Sequence, residues 1–160
     1  MTLPTLQEIN PHDDLDGRVA CEHFLGKTLA EAEALLRENE IYYQSDLLWM
    51  GVPAFRFYLP AVFQFVRHTE GDVSDFISHF AGTLEFRLEH EANELTPVAS
   101  ELAEFCKDIL EQWSRFSVGT EAYGDVRARF EVLRTAFLGL CQEAENRSSR
   151  SLGVADGNTE

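Results

Sequence analysis

Basic residues are scarce in this chain: 13 Lys and Arg stand against 28 Asp and Glu, for a formal charge of −15 over 160 residues. A field of that sign repels phosphate backbones and anionic membrane surfaces, which argues against direct contact with nucleic acid or lipid. Cysteine is scarce too. Cys21, Cys106 and Cys141 are odd in number, far apart and without a CxxC pair, so neither a disulfide framework nor a zinc knuckle is indicated and reduced thiols are expected. No apolar run reaches bilayer length once Arg56 and Gln64 are counted, and the opening MTLPTLQEINPHDD has neither a basic nor an apolar leader region. A cytoplasmic protein is expected on those grounds. HExxH, GxSxG, Walker A and GxGxxG patterns are all missing, which removes the common signatures of zinc proteases, serine hydrolases and nucleotide-binding enzymes.

What is present is enough apolar material for one core. Hydrophobic residues make up 44% of the chain and 12 of them are Phe, well beyond what a disordered segment carries. A chain of this length buries most of its unfolded surface as a single domain without staples. The acidity is uneven: residues 1–50 sum to −7 and 69–117 to −8, whereas 51–68 hold no acid and two arginines. Such acidic stretches speed association with a basic partner, although acidic surface also serves simply to keep a soluble protein dispersed.

Periodicity reads as helix throughout. Residues 1–27 have no sustained period, and PHDDLDG looks like a turn, so an irregular N-terminal segment with at most one short helical turn is expected. Thr28 and Glu31 have the spacing of a capping box, and Leu29, Ala32, Leu35 and Leu36 form one face of a helix ending near Asn39. SDLLWMGVPAFRFYLPAVFQFV, residues 45–66, then forms an acid-poor block. With Pro53 in the first turn and Pro60 as a kink, residues 53–68 make a helix whose only polar stripe is Arg56, Pro60, Gln64 and Arg67. A helix apolar around most of its circumference belongs at the centre of a bundle. A short strand over AFRFYL is the competing reading, because the residue before a proline is biased toward extended geometry.

Three more helices follow. GDVSDF opens one that keeps an apolar face to about Glu91, and Thr96 and Pro97 supply an N-cap and first residue for another through Phe116. SVGT breaks the chain, after which Tyr123, Val126, Phe130, Leu133, Phe137, Leu140 and Ala144 alternate at steps of three and four, a seam for antiparallel packing. Residues 146–160 lack periodicity and are expected to be a disordered tail. The expected fold is therefore all-α: an irregular segment over 1–27, a bundle of about five helices over 28–145, and the tail.

Candidate chemistry is sparse. None of His23, His68, His79 and His90 has Glu three residues before it, as a di-iron bundle requires, and PHDDLDG lacks the first Asp and closing Glu of a calcium loop. No metal or cofactor is expected. Cys106 and Cys141 fall on apolar helix faces, where thiols are inert, and the exposed acid pairs have nothing beside them to shift a pKa. The residues that stand out are Tyr43, Asp46, Trp49, Arg56 and Tyr58 in and before the acid-poor block. Tyr, Trp and Arg dominate interface hot spots, and they equally serve a core that must satisfy a guanidinium or a ring hydroxyl. Arg56 is expected to pair with Asp46 or with the acid-rich helices after it.

The stretch YYQSDLLWMGVPAFRFYLPAVFQFV, preceded by FLGKTLAEAEALLREN, resembles a family of small uncharacterised bacterial proteins. Their core is Tyr-x-x-Asp-Leu-x-Trp-Met-Gly followed by Ala-Phe and Tyr-Leu-Pro-Ala. The match runs from Tyr43 through Asp46, Trp49, Met50 and Gly51 to Ala54, Phe55 and Tyr58–Ala61. The family has no assigned activity. By analogy, small acidic bacterial proteins of this kind are often immunity proteins, so the resemblance implies a non-enzymatic protein that neutralises a basic toxin domain by direct contact. Two other readings stand beside it: an enzyme with an all-α site around Asp46, Arg56 and Tyr58, and a homodimer whose Phe-rich helix is covered by a copy of itself.

Overall fold

Two reciprocal caps organise the start of the chain. In each, a threonine hydroxyl accepts from the N–H three residues on while the glutamate there accepts from the threonine N–H: Thr5 with Glu8, and Thr28 with Glu31. In the computed structural model, which describes residues 2–116 and 124–153, the first cap opens α1 (Leu6–Ile9) and the second opens α3 (Leu29–Trp49). Between them Asp14 accepts from the Gly17 N–H at 2.7 Å and starts α2 (Leu15–Phe24). The segment expected to be irregular is thus mainly helical. Its buried residues in α2 are Gly17, Ala20 and Phe24, and a contact face built from glycine and alanine leaves almost no apolar period to read.

The remaining elements are α4 (Val52–His68), α5 (Ser74–Leu95), a 3₁₀ turn (Thr96–Val98), α6 (Ala99–Glu111), α7 (Trp113–Phe116) and α8 (Val126–Gly153). Among the described residues there is no strand, and the fold is an all-α bundle. AFRFYL is helical. No described helix is long and apolar enough to cross a membrane.

Helix α4 occupies the centre, as its composition requires. Ten of its 17 residues are buried. Pro53, Pro60, Gln64 and Arg67 are exposed and Arg56 is half-buried, along the stripe expected from the sequence. On its buried sides Phe63 stacks on Phe105 of α6 at 4.7 Å between centroids, while Phe65 meets Phe76 of α5 edge-on at 5.1 Å. Helix α8 covers α5 and α6 with Val126, Phe130, Leu133 and Phe137, all buried. The seam fades at half-buried Leu140, and Tyr123 and the SVGT break lie outside the described residues.

Other boundaries differ from the sequence reading for local reasons. The dihedral breaks fall at Asn39 (φ −159°, ψ 87°) in α3 and Glu91 (φ −136°, ψ 23°) in α5, and Pro60 rides inside α4 with its ring toward solvent. Asn39 restarts α3 by accepting from the Tyr42 N–H at 3.1 Å, so the chain expected to leave the helix there continues to Trp49. Thr96 does not cap α6: its backbone is still helical and its hydroxyl is buried without a partner, with α6 beginning three residues later. Trp113 and Phe116 belong to the separate turn α7. Residues 146–153, expected to be a disordered tail, continue α8; 154–160 lie outside the described residues.

Gly51 marks the tightest backbone junction. Its N–H donates to the Ile9 carbonyl at 2.9 Å, and a Cβ there would run into the Glu8 carbonyl oxygen and within 3.0 Å of Pro11. Gly51→Ala is therefore expected to destabilise by about 1–3 kcal/mol through overpacking. Gly139→Ala, in open space within α8, is expected to stabilise by up to about 1 kcal/mol from helix propensity; urea unfolding of both variants checks the two signs together.

Candidate functional site

Helix α3 ends without glycine. Met50 at its C-cap is extended (φ −65°, ψ 152°), so the last-turn carbonyls need donors from elsewhere. Arg87 of α5 supplies them. Its Nη2 donates to the carbonyls of Met50 at 2.6 Å, Leu47 at 2.8 Å and Leu48 at 3.1 Å, and Nε donates to Leu47 at 3.3 Å. The guanidinium lies over the Phe55 ring at 4.1 Å, and Nη1 donates to Glu91 at 2.6 Å. Arg87 is fully buried. Burial pushes its pKa down while the Glu91 carboxylate holds it up. This residue was not a candidate in the sequence, although its place on the apolar face continued by Phe80 and Leu84 was readable.

Of the five candidate residues, Tyr43 and Asp46 meet at one imidazole while the others lie apart. Asp46, nearly inaccessible at 4% exposure, faces α2 and pairs with His23 Nδ1 at 2.7 Å. Tyr43 packs edge-on against the same imidazole at 5.1 Å. Tyr58 is buried in α4, its hydroxyl donating to the carbonyls of Phe24 at 2.7 Å and Lys27 at 3.1 Å. Arg56 does not meet Asp46: its Nη1 donates to the Glu94 carbonyl at 3.2 Å, at the far end of α5. Trp49 is 48% exposed. Asp46 and Tyr58 both turn toward α2, the first to the His23 ring and the second to the Phe24 and Lys27 carbonyls, whereas Arg56 turns to α5, so the three do not converge on one set of partners.

The His23 and Asp46 pair forms a small polar array that only His23's position in α2 makes possible. Tyr42 places its hydroxyl 3.3 Å from His23 Nε2 and its ring 5.1 Å from the imidazole. In the tautomer with its proton on Nδ1, the imidazole donates to Asp46 and its Nε2 accepts from the Tyr42 hydroxyl. Burial pushes the Asp46 carboxyl up from the ordinary aspartate range, and the hydrogen bond and charge of His23 oppose that. A carboxylate, imidazole and hydroxyl in line can move a proton.

Open concavities lie elsewhere along α3. Trp49 and Phe86 of α5, the latter 37% exposed, stand with ring centroids 6.5 Å apart at the edge of a 460 Å³ cleft. Met50 and Val52 line its apolar part, with Asp14, Glu91, Glu94 and His12 around it. A second hollow of 390 Å³ sits one helical turn earlier, between Ile41, Gln44, Ser45 and Leu48 of α3 and His79, Gly82 and Thr83 of α5. The cysteines add no chemistry: Cys106 is buried with its thiol pushed up to about 12, and Cys21 and Cys141 are half-buried. No cluster of three or more His, Cys, Asp or Glu able to hold a metal occurs among the described residues.

Removing the Arg87 fork strands several helix-end carbonyls. Arg87→Met is expected to cost about 3 kcal/mol or more. Arg87→Lys stays destabilised by about 1–3 kcal/mol for the carbonyls one ammonium cannot reach; urea unfolding measures both. The Asp46 carboxyl should titrate above the ordinary aspartate range by carbon-detected NMR, and higher still in His23→Leu, which removes the donor but keeps the site dry. Its folded pKa exceeds the unfolded one, so its contribution to stability grows as pH falls from the folded to the unfolded value. Glu31 behaves oppositely: the Thr28 backbone and hydroxyl hold its carboxyl down, so its contribution is full above the unfolded pKa and lost as pH falls through the folded one.

No family model, curated protein or solved structure matches the chain, and the functional reading rests on this geometry.

Proposed function

We propose that this is a non-enzymatic binding protein, an immunity protein that neutralises a basic toxin domain by direct contact through the cleft around Trp49. The observation that carries the reading is the cleft's make-up. It combines two accessible aromatic rings with three carboxylates in a 460 Å³ concavity, the pairing of apolar platform and negative charge that a basic side chain needs. The wider surface supports it. Most cations are already engaged: Arg67 with Asp108, Arg129 with Glu85, Arg37 with Glu33 and Lys107 with Glu104. Glu22, Glu38, Glu40, Glu70, Glu89 and Glu101 form no ion pair with a described residue, so the excess negative charge faces outward, where it steers a basic partner.

A second reading is favoured by one observation, the line from Asp46 through His23 to the Tyr42 hydroxyl. On that reading the protein is an enzyme using Tyr42 as a proton donor or nucleophile, with His23 and Asp46 behind it. Arg56 and Tyr58 have no part in it, since carbonyls occupy both.

Co-expression with the product of the neighbouring reading frame tests the first reading. The expected result is rescue of growth from a toxic basic neighbour and a purified complex whose association slows steeply with salt while dissociation changes little. Glu94→Lys should slow association at least tenfold at low salt. A neighbour that is harmless and forms no complex removes the immunity reading. Loss of rescue in Tyr42→Phe, with the complex still formed, favours the enzyme.

A further inference from the structure

We infer that Tyr42 is a nucleophilic site whose phenol takes up an acyl group from a small activated ester, with His23 Nε2 receiving the phenolic proton and Asp46 holding the imidazole. The inference rests on the array behind the second reading above and adds the class of substrate. A phenol that reacts once is compatible with a binding protein, and one that is regenerated makes an enzyme.

The tyrosines among the described residues have different fates. Tyr58 is buried, its hydroxyl engaged by the Phe24 and Lys27 carbonyls and its pKa pushed up to about 12 by burial. Tyr43 turns its ring edge to the imidazole, and burial followed by the Glu38 charge pushes its phenol up as well. Tyr42 is 53% exposed, and its hydroxyl meets a group able to take a proton, His23 Nε2 at 3.3 Å.

Local structure aims the phenol at that nitrogen. Where α3 restarts after Asn39, the Asn39 side chain accepts from the Tyr42 N–H at 3.1 Å and the Ser45 hydroxyl donates to the Tyr42 carbonyl at 2.9 Å. The backbone at Tyr42 is thereby held on both sides. The imidazole is held too: Asp46 meets Nδ1 at 2.7 Å, and the Tyr42 and Tyr43 rings pack against it at 5.1 Å each. The Asp46 and His23 side chains are only 6% and 18% exposed, so the array is dry at the carboxylate and open at the phenol. In the tautomer with its proton on Nδ1, the Nε2 lone pair is free for the phenolic proton, and the carboxylate behind stabilises the charge that the ring then carries.

Chemistry limits the substrate. The Tyr42 oxygen bonds to the acyl carbon as its proton passes to Nε2, and the bond from that carbon to the leaving oxygen breaks, its electron pair departing with the leaving group. The imidazolium then gives its proton to water. At an exposed phenol the developing oxyanion is hydrogen-bonded by water rather than by fixed donors, so the ester must bring a good leaving group of its own.

The full chain is treated with p-nitrophenyl acetate at neutral pH, nitrophenolate release is followed by absorbance, and the acetylated residues are located by fragment-ion mass spectrometry. Tyr42 should be acetylated at least tenfold faster than Tyr43 or Tyr58, a comparison that needs no variant. His23→Asn, which keeps a donor for Asp46 but gives the phenol no base, should slow labelling of Tyr42 by about a hundredfold. Asp46→Asn, whose amide can donate to Nδ1 and drive the ring proton onto Nε2, should slow it at least tenfold. Circular dichroism checks that both variants keep their helix content. Equal labelling of Tyr42 and Tyr43, or labelling of Tyr42 indifferent to His23→Asn in the folded variant, overturns the inference. If Tyr42 is acetylated as expected and release stops after one equivalent, the nucleophile stands and the enzyme reading falls. If release continues undiminished in Tyr42→Phe, the inference falls and an enzyme with another nucleophile remains.

Discussion

A guanidinium with no access to water, Arg87, holds the end of α3 by three backbone carbonyls, rests on the Phe55 ring of α4 and meets Glu91 on its own helix. Taking that charge out of water is costly unless every donor finds an acceptor, so α3, α4 and α5 must keep one relative placement. The tight turn at Gly51 follows directly on the Met50 carbonyl that Arg87 holds. The chain from Leu47 to Phe55 is the stretch that meets this charge.

The same device recurs. Arg115 donates to the Val66 and Thr69 carbonyls at the end of α4, and Arg56 donates to the Glu94 carbonyl near the end of α5. The caps of α3 and α4 are extended residues, Met50 and Thr69, rather than glycines in the left-handed region, so side chains must satisfy those carbonyls. Positive charge at a helix C-terminus also suits the helix dipole. With so few cations in the chain, using arginines inside the fold leaves the surface acidic. Internal capping and external charge are two sides of one composition.

The open cleft at Trp49 lies beside this junction. Helix α3 presents Asp46 and Tyr43 toward α2, Leu47 inward, and Trp49 outward, so one turn serves three environments. The pairing of His23 with Asp46 ties α2 to α3, while α3 and α5 together border the two open hollows. Within the stretch from Tyr43 to Ala61, Met50, Gly51, Phe55 and Tyr58 have structural tasks, and the Trp49 ring stays half exposed.

Local physics made much of the architecture legible beforehand. The all-α class, the cap at Thr28, the central helix with its polar stripe at Arg56, Pro60, Gln64 and Arg67, and the α8 seam at Val126, Phe130, Leu133 and Phe137 all come from neighbours within a turn or two. What escaped was either too small to carry a period, as in the Gly17 and Ala20 face of α2, or set by groups far apart in the chain. Arg87 and Leu47 are 40 residues apart, and His23 and Asp46 are 23 apart. Helical spacing says which face a residue occupies, but which helix covers that face depends on packing of the whole bundle. For that reason Arg56 met a carbonyl instead of Asp46, Tyr58 went inside, and the hollows between α3 and α5 exist only once the two helices stand side by side.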